Sequence, residues 1–220
     1  MCRFLLVRSE QPIDPQPLLQ EFAAMCEKSR APDGDWQGDG YGIAWNWDGK
    51  WQLYKSLVPI WKETKTFQTV GETDLFVAHA RSAGFPQHKG IVQYNQPYIR
   101  DSFCFVFNGM IRGVKLSIPL EGTIGAQKIF SLFLYEAQKS NTDMALRSLR
   151  SQIHSHAKAI EGMNIGVVHE GKLHALCDYE KQEDYFGLRF AQKGSLSMIC
   201  SQPLRGFHWT TMTKGEVKTI

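Results

Sequence analysis

The run Ser102-Phe103-Cys104-Phe105-Val106-Phe107 limits the fold of this chain more than any other stretch. After its serine it is apolar at every position. A half-exposed strand alternates polar and apolar residues, whereas one that is apolar throughout is covered on both faces. A sheet built around this run therefore needs a layer on each side. Helical periodicity recurs three times. Asp14 to Lys28 brings Leu18, Leu19, Phe22, Ala23 and Cys26 to one side, with Asp14 as cap and Pro15 in the first turn. Gln127 to Lys139 gathers Ile129, Phe130, Phe133, Leu134 and Ala137. Thr142 to Ile160 follows, capped by Thr142, with Ala145, Leu146, Leu149, Ile153 and Ala157 as its stripe.

The remaining patterned stretches read as strands. They are Phe4 to Val7, Tyr41 to Trp47 and Lys50 to Tyr54 across an Asp48-Gly49 turn, Leu75 to Arg81, and the run ending at Phe107 before Asn108-Gly109. After the helices come Met163 to His169, Leu173 to Asp178, Tyr185 to Ala191, Ser197 to Ser201 and a last short strand beyond Gly215. Strands, helices and strands in that order predict a layered α+β fold with helices outside two sheets. No repeat or linker divides the chain, so 1–220 reads as one domain.

Composition excludes several functional classes. The basic residues behind the net charge of +3 are spread out, with no Lys/Arg block for nucleic acid. The five cysteines are Cys2, Cys26, Cys104, Cys177 and Cys200. They form no CxxC pair, which argues against a metal site or a disulfide framework and suits a reducing compartment. There is no signal-peptide pattern, and no apolar run approaches the ~18 residues of a membrane span. The expectation is a cytoplasmic protein without metal or cofactor; the oligomeric state is not encoded in any pattern.

Candidate chemistry sits at three strand ends. Cys2 follows Met1 directly; with Met1 removed, one residue carries a thiol and a free amine, a nucleophile beside a base. Arg81 closes the strand Leu75 to Arg81, where a guanidinium binds a carboxylate in a two-pronged fashion. Asn108-Gly109 can offer two donors to an oxyanion. Each has an ordinary alternative: a chance Met-Cys start, a surface arginine, a tight-turn dipeptide. His79 alternates with Val77 and reads as a buried structural histidine.

The ordered set is more specific than its parts. A second-position cysteine, then Gly38-Asp39-Gly40-Tyr41-Gly42-Ile43-Ala44-Trp45, Ala78-His79-Ala80-Arg81, Phe107-Asn108-Gly109-Met110-Ile111, Gly122-Thr123 and Cys200-Ser201-Gln202-Pro203-Leu204 resembles the class II glutamine amidotransferase family of N-terminal-nucleophile hydrolases. The stand-alone members are the most similar. The resemblance implies a four-layer αββα sandwich. It implies Cys2 as the nucleophile attacking a γ-amide, its amine as base, Asn108 and Gly109 as the oxyanion hole, and Arg81 as the binder of the substrate carboxylate.

The departures from the family pattern cluster. Ile124-Gly125-Ala126-Gln127 stands where the family has Thr-Asp-Ser-Glu, so the ammonium-binding aspartate is replaced by Gly125. Gly84 replaces a threonine, Tyr94-Asn95-Gln96-Pro97-Tyr98 replaces Asn-x-His-Pro-Phe, and Gln202 replaces a glutamate. The attacking end is kept and the amino-acid-recognising end is altered. The expectation is an amidohydrolase acting on a small-molecule γ-glutamyl-like amide whose amino group is absent or modified, with Asp39 and Asp101 as substitute partners for an ammonium. Three other uses stay open: a subunit passing ammonia to a separate synthase, a degenerate binding protein, and a redox-sensing thiol.

Overall fold

A computed structural model describes residues 1–31 and 34–220. In chain order the elements are β1 (Arg3–Ile13), α1 (Gln16–Lys28), β2 (Tyr41–Trp47), β3 (Lys50–Ser56), β4 (Thr73–Ala80), β5 (Tyr98–Arg100) and β6 (Phe103–Arg112). Then come α2 (Gly125–Ala137), α3 (Thr142–His156), β7 (Ala159–His169), β8 (Lys172–Cys177), the single turn α4 (Glu183–Phe186), β9 (Arg189–Lys193), β10 (Leu196–Cys200), β11 (Thr210–Thr211) and β12 (Glu216–Thr219). A seven-stranded sheet has the order β11-β9-β10-β1-β4-β2-β3, and a five-stranded sheet has β12-β8-β7-β6-β5.

Alternation along the central strands decides what each layer touches. On β1, Leu5 and Val7 face outward onto Leu19, Phe22 and Cys26 of α1, while Phe4 and Leu6 face the second sheet. On β6, Phe105 and Phe107 pack outward against Phe130, Phe133, Leu146 and Leu149 of α2 and α3, while Cys104 and Val106 face inward. The apolar run 102–107 is thus covered on both faces, as its composition requires. The result is the α+β, four-layer αββα arrangement, with α1 outside one sheet and α2 and α3 outside the other. Phe4, Phe22, Phe105 and Phe133 are all fully buried, each contributing about 1.5–3 kcal/mol of transfer free energy.

Several local expectations need correction. Asn108-Gly109 is not a turn: β6 continues through it to Arg112, pairing Asn108 with Asn164 and Gly109 with Met163 of β7. A Cβ at Gly109 would run into the Gly162 carbonyl, so this glycine permits close approach of two strands. The stretch 185–191 is not one strand. Tyr185 and Phe186 belong to α4, and Phe186 fills the space beside Gly162, which has no side chain. Helix α3 stops at His156 because Ile160 is drawn into β7 opposite Ile111. Its cap is Asn141, whose Oδ1 accepts the Met144 N–H at 3.0 Å, not Thr142. Asp14 instead accepts the Gln16 N–H at 2.9 Å, and Pro15 occupies the cap position of α1.

Candidate active site

Cys2 lies half-buried immediately before β1, held by the residues on either side. Arg3 is buried; its Nε donates to Ser29 Oγ at 2.9 Å, its Nη1 to the Tyr185 carbonyl at 2.7 Å, and its guanidinium stacks over the Tyr185 ring at 3.6 Å. The Met1 carbonyl accepts from Gln37 Nε2 at 2.9 Å and Tyr185 Oη at 3.0 Å. The Met1 ammonium donates to Asp35 Oδ2 at 2.7 Å, and the Ser82 hydroxyl bonds the same oxygen. Burial of Asp35 favours its neutral form, but these two donors outweigh that and hold its carboxyl below the usual range. Sequence reasoning missed both Asp35 and Ser82. Nothing in the Gly- and Asp-rich loop sets Asp35 apart, since its role follows from where β1 begins.

The Cys2 thiol accepts the Ser82 N–H at 3.5 Å. Burial pushes it above the ordinary thiol value, against the pull of the Met1 ammonium, the Ser82 N–H and Arg81. With Met1 attached, the thiol is therefore protonated at neutral pH, and the Cys2 nitrogen is an amide without a basic lone pair.

Arg81 follows β4 directly and is buried. Its Nη1 donates to Asn95 Oδ1 at 3.2 Å and its Nη2 to the His88 carbonyl at 2.8 Å; Tyr94 lies beneath it, with its ring centroid 5.8 Å away. Asn95 is fixed in turn by the Ser56 carbonyl at 2.6 Å. Gln96 grips the backbone of β6 at Phe107, accepting its N–H at 2.5 Å and donating to its carbonyl at 3.2 Å. The altered segment 94–98 thus braces both Arg81 and the strand that carries Asn108.

Asn108 is fully buried, and neither its Oδ1 nor its Nδ2 has a partner among the described residues. By alternation from Val106 its side chain faces between the sheets. A buried, unpaired amide costs about 1–3 kcal/mol, which marks Asn108 as a group kept for something other than packing.

His79 is also buried. Its Nε2 lies 3.3 Å from the Phe107 carbonyl; a carbonyl only accepts, so Nε2 carries the proton, and Nδ1 has no partner among the described residues. Burial lowers its pKa to about 3. The folded chain therefore holds His79 neutral where the unfolded chain, titrating near 6.5, takes up a proton. Stability should fall as pH drops from about 6.5 toward 3, by up to about 1.4 kcal/mol per pH unit. Denaturant titrations between pH 7 and 5, above most carboxylate titration, read this slope, and His79→Gln should flatten it.

A cavity of about 480 Å³ is lined by Cys2, Arg81 and Gly109 together. Asn108 is not on its wall. Gly125 is on it, as the first residue of α2, and its φ is not left-handed. A Cβ there meets nothing within 4 Å, so the position tolerates a side chain and simply lacks one. Gly84 also lines the cavity, and a Cβ there would meet the Met110 Cε at 2.8 Å, so the methionine tip takes up the space beside this glycine. The two substitute carboxylates lie elsewhere. Asp39 accepts the Ala83 N–H at 2.8 Å and pairs with Lys89 at 3.2 Å, bracing the loop after Arg81. Asp101 sits in the left-handed turn between β5 and β6 and lines a different groove. Neither lines the cavity with Cys2. Gln202 is also away from it, in a groove beside α1, with its Oε1 unpartnered among the described residues.

The far wall of the cavity was not read from the sequence. Residues 113–124 lie outside both sheets, yet Val114, Leu116, Ile118 and Leu120 turn inward while Lys115, Ser117 and Pro119 turn outward. Their strict alternation was a legible signal of a one-sided extended segment. None of the described helices is long and apolar enough to cross a membrane.

No family model matches the chain. In sequence it is 26% identical over 190 residues to the probable glutamine amidotransferase DUG3 of Saccharomyces cerevisiae, a match covering 68% of this chain and 51% of that protein. The chain thus spans about half the length of this curated relative. In structure it resembles a glutamine aminotransferase class-II domain protein from Silicibacter pomeroyi, with a TM-score of 0.65 at 16% identity, covering 100% of this chain and 94% of that one. It also resembles the glutamine phosphoribosylpyrophosphate amidotransferase of B. subtilis, with a TM-score of 0.67 at 13% identity, covering 100% of this chain and 47% of the larger one. In fold over its whole length and in sequence over about two-thirds of it, the chain is similar to glutamine amidotransferases, and the resemblance to the class II family carried by its ordered motifs is borne out.

Proposed function

We propose that the chain is an amidohydrolase that cleaves the γ-amide of a glutamine-like substrate through a thioester on Cys2, after removal of Met1. The observation that carries this reading is that thiol, guanidinium and Gly109 border one cavity. The buried amide of Asn108, next in sequence to Gly109 and without a partner among the described residues, adds to it. Arg81 binds the substrate carboxylate. The freed Cys2 amine takes the thiol proton as Sγ attacks the γ-carbonyl carbon. The Asn108 Nδ2 and the Gly109 N–H hold the resulting oxyanion. The proton passes to the leaving nitrogen, the C–N bond breaks, and water then cleaves the thioester to the acid and the regenerated thiol.

Recognition of the amino group is the altered part. Gly125 offers no carboxylate, so a free ammonium forgoes a charge-assisted hydrogen bond of about 1.5–3 kcal/mol, or roughly ten- to a hundredfold in kcat/KM. N-acetylglutamine and the deaminated amide should therefore be hydrolysed at least as fast as glutamine. Gly125→Asp should shift the preference toward free glutamine by about that factor, since the backbone and the space there accept it. Side-by-side kcat/KM values decide. A strong preference of the unmodified protein for free glutamine would overturn this account of recognition.

A further inference from the structure

The cavity has two unlike ends. At one end are Cys2 and Arg81. At the other, the inward row Val114, Leu116, Ile118 and Leu120 faces Ile124 and Ile129 at the start of α2. Among the described residues that line the cavity there is no aspartate or glutamate, and the two cations are Arg81 and Lys128. An apolar row of this kind in a core would be packed shut. Here it packs against the core under α2 and α3 yet stays only partly buried, and it borders about 480 Å³ of open space continuous with the thiol. That volume lies in the range of ~300–1,000 Å³ that encloses drug-sized ligands, more than a free amino acid fills. The chemistry that fits has one carboxylate for Arg81, an amide for Cys2, no ammonium, and an apolar body reaching the 114–120 wall.

The geometry points to a γ-amide whose α-nitrogen carries an apolar acyl group as the substrate class, with the acyl chain seated between the 114–120 wall and the first turn of α2. This assignment rests on the amidohydrolase reading for the position of the amide. The acyl group takes that direction because Gly125, which stands where an ammonium partner would, adjoins Ile124, Ala126 and Ile129, and no carboxylate among the described lining residues competes for the nitrogen.

The test is a chain-length series of N-acetyl-, N-butanoyl- and N-hexanoylglutamine, assayed two ways. Hydrolysis by the unmodified protein gives kcat/KM, and calorimetric binding to Cys2→Ala gives affinity without turnover. Each buried methylene should raise kcat/KM and affinity about fourfold, so hexanoyl should exceed acetyl by at least about tenfold in both assays. Ile118→Ser should reduce the hexanoyl-to-acetyl ratio. If no amide is hydrolysed but hexanoylglutamine binds Cys2→Ala at least tenfold tighter than acetylglutamine, the subsite stands and the amidohydrolase reading falls. If acetylglutamine is hydrolysed but both series are flat, the subsite is overturned and the amidohydrolase reading stands. Absence of both hydrolysis and chain-dependent binding overturns both.

Discussion

Replacing Cys2 with alanine is expected to abolish amide hydrolysis and to leave the fold intact. The two halves of this result have different causes. Cys2 precedes the first strand residue, and its Sγ contacts the Ser82 backbone rather than the apolar core. Little packing is lost with it. The chemistry, by contrast, has no second thiol on the cavity. Cys26, Cys104, Cys177 and Cys200 are fully buried, and burial pushes their thiols up, to about 12 for Cys200 and about 11 for Cys177. Loss of the nucleophile should lower kcat by at least about ten-thousandfold. Cys26→Ala and Cys177→Ala should keep activity and lose stability, since each leaves a gap in a close-packed cluster. Ammonia release measured beside thermal melts separates the two kinds of cysteine. Amide hydrolysis at the ordinary rate by Cys2→Ala would contradict the mechanism.

Asn108→Ala should lower kcat by about a hundred- to a thousandfold, with KM little changed, because an oxyanion donor acts only once the carbonyl oxygen has gained charge. The same substitution should not destabilise the protein. The Asn108 amide is fully buried without a partner among the described residues, so removing it deletes an unpaid desolvation cost of about 1–3 kcal/mol against a small loss of packing. Activity down with stability equal or higher is a combination that a structural asparagine does not produce. A variant that melts earlier and keeps its kcat would show that Asn108 serves the fold instead.

The layered fold was readable because burial is written into local patterns. The unbroken apolar run 102–107 announced a strand covered on both faces, and the stripes of α1, α2 and α3 named the residues that cover the sheets. The placement of Cys2 and Arg81 at strand ends was also legible, since each abuts a strong strand pattern. Asn108-Gly109 was misplaced because the dipeptide favours a turn locally, while the pairing partner that overrides this preference, Met163 in β7, lies far along the chain. The Asp35 contact with the Met1 ammonium joins two loops with no periodicity between them. The 114–120 wall was legible by its alternation, but its meaning depended on the cavity that it faces.

The central claim is that Cys2, with a free amine, is the nucleophile. With Met1 attached, burial raises the pKa of the Cys2 thiol and Asp35 holds the terminal ammonium. The decisive measurement is the intact mass of the protein from its native host, before and after exposure to a glutamine-like diazo-ketone. The account predicts a mass lacking Met1 and a single added adduct that is absent from Cys2→Ala. A mass with Met1 fully retained, or an adduct that persists in Cys2→Ala, would contradict it.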